Sequence, residues 1–365
     1  ALADCGQAIE LMEALRRQRG TEWPPEWANS LAVAYMNRGV TRRDGQDLSG
    51  ALADCGQAIE LMEALRRQRG TEWPPEWANS LAVAYMNRGV TRRDGQDLSG
   101  ALADCGQAIS LMETLRRQLG KDWPPGWAND LAAAYMNRGN ARRDGQDLSG
   151  ALADYGQAIE LQETLRRQLG KDWPPGWAND LAAAYMNRGN ARRDGQDLSG
   201  ALADYGQAIE LRDALRRQLG TEWPPEWANS LAKTYMNRGI VLEDSDCLED
   251  AIVDWDRAAQ LYLNQVERGQ LRAGPQLLNA VLWQLVGFRD LGHWPEAARC
   301  LLQFLAFHRA FQTAWEDQEG QAEPWQSITA QFARMVHKLN PEQRTALLDA
   351  LGQAAERVKE IFGWW

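Results

Sequence analysis

The sequence has little of the chemistry that catalytic and metal sites use. Its 365 residues include five cysteines and three histidines, and no Cys-x-x-Cys pair occurs. Three cysteines (Cys5, Cys55 and Cys105) are one repeat position, which Tyr155 and Tyr205 fill later. A disulfide or a metal ligand would not tolerate that exchange, so we interpret the cysteines as reduced and structural. We predict no metal and no cofactor.

Long apolar runs are also missing. No stretch approaches the roughly 20 apolar residues that span a bilayer, and the first residues resemble no signal peptide. These absences predict a cytoplasmic protein without a membrane segment. Ala1 falls in mid-pattern without an initiator methionine, which indicates a fragment or a processed product.

Basic residues are fewer than acidic residues. The net charge is −10 and the isoelectric point is about 5.0. Nucleic-acid binders gain affinity by neutralising phosphates, so this balance argues against nucleic acid as a partner. The repeated arginines are expected to form surface pairs with repeated acids rather than a basic track. The arginines are Arg16, Arg17, Arg38, Arg42 and Arg43, and the acids are the equivalents of Asp4, Glu13, Asp44 and Asp47.

Catalytic signatures are absent as well. The sequence contains no phosphate-binding loop, no zinc-protease helix motif and no serine-hydrolase elbow. The many carboxylates recur at turn junctions, where they are typical of helix caps rather than of an acid–base pair. We therefore predict that the protein is not an enzyme.

What the sequence has instead is repetition. Residues 1–250 form five blocks of 50, of which 1–50 and 51–100 are identical, while 101–150 and 151–200 differ at three positions. A fixed period of 20–50 residues is typical of solenoids, in which each repeat buries its apolar side against the next.

Each repeat reads as two long helices. In residues 21–70, apolar and small side chains recur at helical spacing, and Trp23-Pro24-Pro25 suits a helix start. The run Asp44-Gly45-Gln46-Asp47 predicts the turn between the two helices, with Asp47 or Ser49 as the cap of the second. The second helix is predicted to end at Gly70. We call the two the first and the second helix of a repeat.

The repeat resembles the tetratricopeptide repeat (TPR). The resemblance rests on Tyr35, Gly39, Leu48, Ala51, Cys55 and Ala58, and it recurs at Tyr235, Gly239, Leu248, Ala251, Trp255 and Ala258. It implies an all-α, right-handed α-solenoid, a superhelix of antiparallel helix pairs, whose first helices line a concave groove. It also implies contacts with proteins or peptides.

The sequence departs from that family in three respects. Its period is 50 rather than the family's 34, which implies longer helices and a Trp-Pro-Pro junction. Arg38 and Arg42 stand where the family is usually apolar, so we expect their stems along the core and their guanidinium groups reaching outward. Gly45 comes one place earlier than the glycine of the family pattern.

We predict three segments. Residues 1–20 are an unpaired second helix, residues 21–270 hold the TPR-like repeats, and residues 271–365 are a divergent repeat with a C-terminal helical cap. Within the last segment we expect a helix pair at 276–290 and 295–315, then closing helices at about 323–339 and 341–361.

The candidate binding site lies on one face of the first helices. Comparing the copies, residues vary at positions equivalent to 33 and 40, where family members commonly contact ligand, and Asn37 between them is kept in every copy. These positions share a helix face. An amide offers a donor and an acceptor, so the asparagines suit the backbone of an extended peptide. The candidate residues are Val33, Asn37, Val40, Val83, Asn87, Val90, Ala133, Asn137, Asn140, Ala183, Asn187, Asn190, Lys233, Asn237 and Ile240.

Alternatives remain open at this stage. The asparagines can instead bond neighbouring repeats, with the variation being neutral change after duplication. The junctions hold ten of the seventeen tryptophans, which suit either a proline-rich or sugar ligand or, as we favour, packing over helix ends, with Trp27 on the core stripe.

The leading hypothesis is a non-enzymatic scaffold that binds a protein or extended peptide. Such arrays also resemble the sensing halves of larger bacterial proteins. The second hypothesis is end-to-end self-association through an uncovered helix at the N-terminal end.

Overall fold

The chain folds into helices throughout the part that the structure describes. The computed structural model describes residues 2–316, 330, 334 and 338–362, and every regular element in them is a helix. Two compact units are present, residues 1–195 and residues 196–365.

The first unit holds eight α-helices among its described residues. They are α1 (Leu2–Arg19), α2 (Pro25–Asp44), α3 (Leu48–Arg69), α4 (Pro75–Asp94), α5 (Leu98–Leu119), α6 (Pro125–Asp144), α7 (Leu148–Leu169) and α8 (Pro175–Asp194). Each helix contacts the next along the chain, and the first helices α2, α4, α6 and α8 also contact one another in order. The first helices therefore form one continuous layer within this unit.

The second unit continues the pattern and then diverges. Its described α-helices are α9 (Leu198–Leu219), α10 (Pro225–Glu243), α11 (Leu248–Glu267), α12 (Gly274–Asp290), α13 (Trp294–Glu316), α14 (Pro341–Leu351) and α15 (Ala355–Phe362). The pair α12 and α13 matches the expected helix pair, and α14 begins at the expected proline. Most of the expected helix at 323–339 lies outside the described residues. The three-segment division stays a prediction.

The junctions follow from local sequence. Gly70 adopts a left-handed φ of 54° after α3, and a single 3-10 turn, Gly70–Glu72, leads to the next prolines. In the turn inside each repeat, Gln46 rather than Gly45 takes the left-handed conformation, with φ 64°. Because Gly45 comes one place earlier than the glycine of the family pattern, the left-handed conformation falls on glutamine, a residue that rarely adopts it. Asp47 is the cap, since its carboxylate accepts from the backbone N–H of Gly50 at 2.9 Å.

The core lies between successive helices. In the first unit Leu31, Ala32, Ala58, Met62 and Leu81 are fully buried in one cluster that joins the three consecutive helices α2, α3 and α4. Burying one such leucine contributes about 1.5–3 kcal/mol, but a single helix pair has no second surface to cover it. Stacking supplies that surface, so the predicted all-α solenoid of helix pairs is confirmed.

Candidate functional site

The predicted site residues lie on the first helices α2, α4, α6, α8 and α10. Asn37 and Lys233 are exposed, Asn190 is buried, and the others are half-buried. In the first unit their helices are neighbours in one layer. We name the set at positions 33, 37 and 40 and their equivalents on α2, α4, α6 and α8 the first-helix face.

The conserved asparagines of this face differ in their hydrogen bonds. Asn187 Nδ2 donates to Asn140 Oδ1 of the neighbouring first helix at 3.2 Å. The side-chain amides of Asn37, Asn87 and Asn137 make no hydrogen bond to any described residue. One member of the column is thus used to join repeats, while three present both a donor and an acceptor.

A second polar contact joins neighbouring first helices closer to their N-terminal ends. Asn79 Nδ2 donates to Asp130 Oδ2 at 3.3 Å. Burial raises the pKa of the Asp130 carboxyl, and this hydrogen bond opposes the shift. Burial raises the pKa of Asp180 in the same way, with Asn129 as the opposing donor. The aspartates that replace Ser30 and Ser80 in the third and fourth copies, Asp130 and Asp180, therefore add contacts between repeats.

Variation at position 40 follows the buried residue that it faces. Asn140 Oδ1 accepts from the hydroxyl of Tyr155 at 2.8 Å, and the Tyr155 ring is fully buried on α7. Val40 and Val90 occur in the repeats that have Cys55 and Cys105, and Ile240 occurs with Trp255. The asparagine accompanies the tyrosine because a buried hydroxyl needs an acceptor. The sequence contains the signal for this contact, because the residues at the position of Val40 and at the position of Cys55 change together from copy to copy.

This pairing makes a quantitative prediction. Asn140→Val is expected to destabilise the first unit by about 1–3 kcal/mol, because the Tyr155 hydroxyl loses its acceptor inside the core. Adding Tyr155→Cys recreates the Val90–Cys105 combination of the preceding repeat and is expected to recover most of the loss. Urea denaturation followed by circular dichroism measures both. Additive effects of the two substitutions would contradict the pairing.

A buried ion cluster recurs in the repeats, and its burial was not predicted. Arg38 donates through Nε and Nη2 to the two carboxylate oxygens of Asp54, at 2.8 and 2.6 Å, and Arg42 Nη1 donates to Oδ2 at 2.8 Å. Asp54 is 2% exposed. The hydrogen bond to Asp54 raises the pKa of Arg38. The same arrangement holds Asp104, Asp154 and Asp254, the last without the second arginine.

The arginines do pair with the expected acids, since Asp54 is the equivalent of Asp4 and Arg42 Nε also lies 3.6 Å from Oδ2 of Asp47. The expectation that the guanidinium groups of Arg38 and Arg42 reach outward was wrong. The guanidinium groups turn inward because a carboxylate on the facing second helix offers them a two-pronged partner. Two arginines of a repeat are thereby engaged in structure, which leaves little of the repeated positive charge for a basic surface.

The tryptophans pair at the junctions. Trp23 and Trp27 meet edge to face with ring centroids 5.5 Å apart, and the pairs at Trp73, Trp123 and Trp223 repeat this geometry. Trp27 is 37% exposed, with the Arg19 guanidinium 5.0 Å from its ring centroid. The placement of Trp27 on the core stripe was thus wrong, because the helix start lies at the edge of the layer rather than between helices.

Other chemistry is sparse in the described part of the chain. No group of three side chains there is arranged to hold a metal ion. No helix among those residues has the length and apolar character needed to cross a bilayer. Burial raises the pKa of the Cys55 thiol to about 11 and that of Cys105 to about 12. Both thiols are therefore protonated at neutral pH and poor nucleophiles.

Comparisons with known proteins give structural matches alone. No protein-family model matches the sequence, and no curated protein matches it. Among solved structures, BtubC from P. vanneervenii is 16% identical with a TM-score of 0.50, over 72% of this chain and 90% of that one. RapI in its apo form is 9% identical with a TM-score of 0.48, over 84% and 99% of the two chains. YrrB, described as a TPR protein with an unusual peptide-binding site, is 19% identical with a TM-score of 0.36, over 63% and 86%.

At these low sequence identities, the matches show a similarity of fold and nothing more. The match to BtubC covers most of both chains, and within each unit the helix pairs stack in the order that the repeat pattern predicted. The repeated helical array has the fold of tetratricopeptide-repeat proteins.

Proposed function

We propose that the protein is a non-enzymatic scaffold whose first-helix face binds an extended peptide or a segment of a partner protein. The observation that carries the proposal is the row of amides at Asn37, Asn87 and Asn137, which lie on consecutive, contacting helices and bond no described residue. An extended peptide has one donor and one acceptor per residue, which an asparagine amide can match.

The spacing of the row suits such a ligand. Packed helices lie about 8–10 Å apart, which corresponds to about three residues of extended chain. Each amide would then meet every third peptide unit, and the side chains between would contact the positions that vary. Val33, Val83 and Ala133 beside the amides are half-buried and apolar, which favours a ligand with some apolar side chains.

The test begins with a random peptide library displayed on phage and selected against the full chain. An enriched peptide is then titrated by fluorescence anisotropy against the wild type and the variant Asn87→Ala/Asn137→Ala. We expect about a tenfold loss of affinity, because two hydrogen bonds of about 0.5–1.5 kcal/mol each are removed.

The matched control removes two amides from the second helices. Gln107→Ala/Gln157→Ala changes exposed side chains on α5 and α7 and is expected to leave affinity within twofold. Unchanged binding by the asparagine variant would contradict the proposal, and so would equal losses in both variants.

A second candidate function is self-association through α1. Leu2 and Leu11 are exposed there, whereas Leu61, the equivalent of Leu11, is buried in the next repeat. An uncovered apolar helix face favours contact with another surface. Light scattering over a range of concentrations tests this, since Leu2→Glu/Leu11→Glu should abolish any rise in mass. A mass that is constant in the wild type would exclude it.

A further inference from the structure

A cleft lies in the second unit, and none of the residues that line it belongs to the candidate peptide site. It has a volume of about 610 Å³ and is formed by the ends of α9 and α11 with the start of α10. The residues that matter for its chemistry are Asp213, Arg216, Tyr235, Arg257, Gln265 and Arg268.

The sequence of α11 departs from the other copies at this cleft. Where the second helices α3, α5, α7 and α9 have glutamine, leucine and glutamine, the equivalent positions of the fifth repeat hold Arg257, Gln265 and Arg268. Two of these changes add a positive charge, and the third puts a hydrogen-bonding group in place of a hydrocarbon. The residues replaced are Gln57, Gln107, Gln157 and Gln207; Leu65, Leu115, Leu165 and Leu215; and Gln68, Gln118, Gln168 and Gln218.

Gln265 is the least expected of the three. Its leucine equivalents are core residues, and Gln265 itself is 7% exposed. Its buried Nε2 finds no acceptor among the described residues, and the residue is one of those that line the cleft. A buried amide without an acceptor costs stability, so a leucine there would suit the fold better. A buried donor at a cleft wall is suited to a ligand that brings an acceptor.

The arginines around Gln265 are available to the same ligand. In the four preceding copies the equivalent of Arg216 pairs with a glutamate three residues earlier, at 3.4–3.6 Å. Here that acid is Asp213, which is one methylene shorter, and Arg216 makes no ion pair with a described residue. Arg268 likewise has no ionic partner among them.

The remaining charges are already balanced. Asp213 is the one carboxylate among the described residues that line the cleft, and it accepts from the Tyr235 hydroxyl at 3.0 Å. The Arg257 guanidinium lies 5.5 Å from the centroid of the Tyr235 ring, and its Nη1 is 3.9 Å from Asp254. Asp254 is in turn held by the two-pronged contact from Arg238. The cleft therefore has more donors and positive charge than its own acids satisfy.

We infer that this cleft binds an oxyanion, a carboxylate or phosphate group, with Gln265 Nε2 as the buried donor and Arg216, Arg257 and Arg268 as the cationic wall. Guanidinium groups match the planar oxygen pairs of carboxylates and phosphates. The oxyanion can belong to a small metabolite or to an acidic side chain of a peptide, and the experiment separates these sources.

The test is isothermal titration calorimetry of the full chain at low salt with three probes: inorganic phosphate, citrate and the acetylated tripeptide Glu-Glu-Glu. We expect saturable binding of at least one probe with one site per chain, weakened by added sodium chloride. Binding of phosphate or citrate assigns a small-molecule source, and binding of the tripeptide alone assigns an acidic peptide.

The decisive variant restores the residues of the other copies, Arg257→Gln/Gln265→Leu/Arg268→Gln. Because those residues occur in four folded repeats, we expect an unchanged circular dichroism spectrum, a Tm equal to or above that of the wild type, and at least tenfold weaker binding. Arg17→Gln/Arg67→Gln changes the charge equally on exposed positions of α1 and α3 and should leave binding within twofold.

Two results would overturn the inference: no probe binds the wild type, or the restored variant binds as tightly as the wild type does. The outcome is independent of the peptide site, since Asn87→Ala/Asn137→Ala should retain full affinity for the oxyanion.

Discussion

Asp104→Ala is expected to destabilise the first unit by about 3 kcal/mol. The carboxylate of Asp104 is buried and accepts from Arg88 at 2.7 and 2.8 Å and from Arg92 at 2.9 Å. Removing one partner of a buried ion pair typically costs 3–5 kcal/mol, because the other charge stays desolvated. The side chains of Arg88 and Arg92 are 21% and 29% exposed, so we expect a loss at the lower end of that range.

The matched control is Asp94→Ala. Asp94 pairs with Arg93 at 3.1 Å, but its side chain is 34% exposed. Such surface pairs contribute about 0–1 kcal/mol. Urea denaturation monitored by circular dichroism compares the two variants, and a loss below 1 kcal/mol for Asp104→Ala would show that the buried cluster is dispensable.

Gly139→Ala is expected to destabilise the same unit by about 2–3 kcal/mol. A Cβ at this position would stand 2.7 Å from Cε1 and 3.0 Å from Cδ1 of Tyr155, whose ring is fully buried and cannot move aside. Overpacking of this kind costs typically 1–3 kcal/mol, and an aromatic ring is a less yielding neighbour than a flexible side chain. Thermal or urea unfolding of the variant measures the loss.

Two comparisons isolate the clash. Gly156→Ala adds a methyl group on α7 where nothing lies within 4 Å, and it should stabilise by about 0.5–1 kcal/mol through helix propensity. In the background Asn140→Val/Tyr155→Cys, Gly139→Ala should lose much of its effect. A Cβ at Gly39 would lie 3.1 Å from Sγ of Cys55 and 3.3 Å from the backbone oxygen of Ala51, which is less tight than the 2.7 Å contact with the Tyr155 ring. An equal loss in both backgrounds would contradict the steric explanation.

The helices could be predicted from the sequence because their signals are local. The prolines before α2, the cap at Asp47 and the glycine after α3 act within one turn of the residues that they terminate. Fifty-residue periodicity then predicts stacking, since one helix pair cannot bury its own apolar side.

The side-chain partners could not be predicted in the same way. Asp54 carries a charge, and helical periodicity gives no reason to place it in the core. Its burial depends on arginines 12 and 16 residues earlier that arrive from the facing helix. Likewise Asn187 and Asn137 are identical in sequence context, yet Asn187 is bonded because Asn140 lies within reach. Such differences arise from packing between repeats rather than from the repeat itself.

The cleft around Gln265 could be predicted in part. Its departure from leucine is visible by comparing the copies, and so are the nearby arginines. That the three side chains border one cleft follows only from the arrangement of α9, α10 and α11.

The ion clusters have a consequence for how this gene could change length. All three members of a cluster, such as Arg38, Arg42 and Asp54, belong to one helix pair. Unequal recombination between copies in the same register therefore adds or removes whole clusters and never strands a buried charge. Residues 1–50 and 51–100 are identical, as expected for a recent exchange of this kind. Because each buried cluster is complete within its own helix pair, a change in the number of repeats leaves every cluster intact.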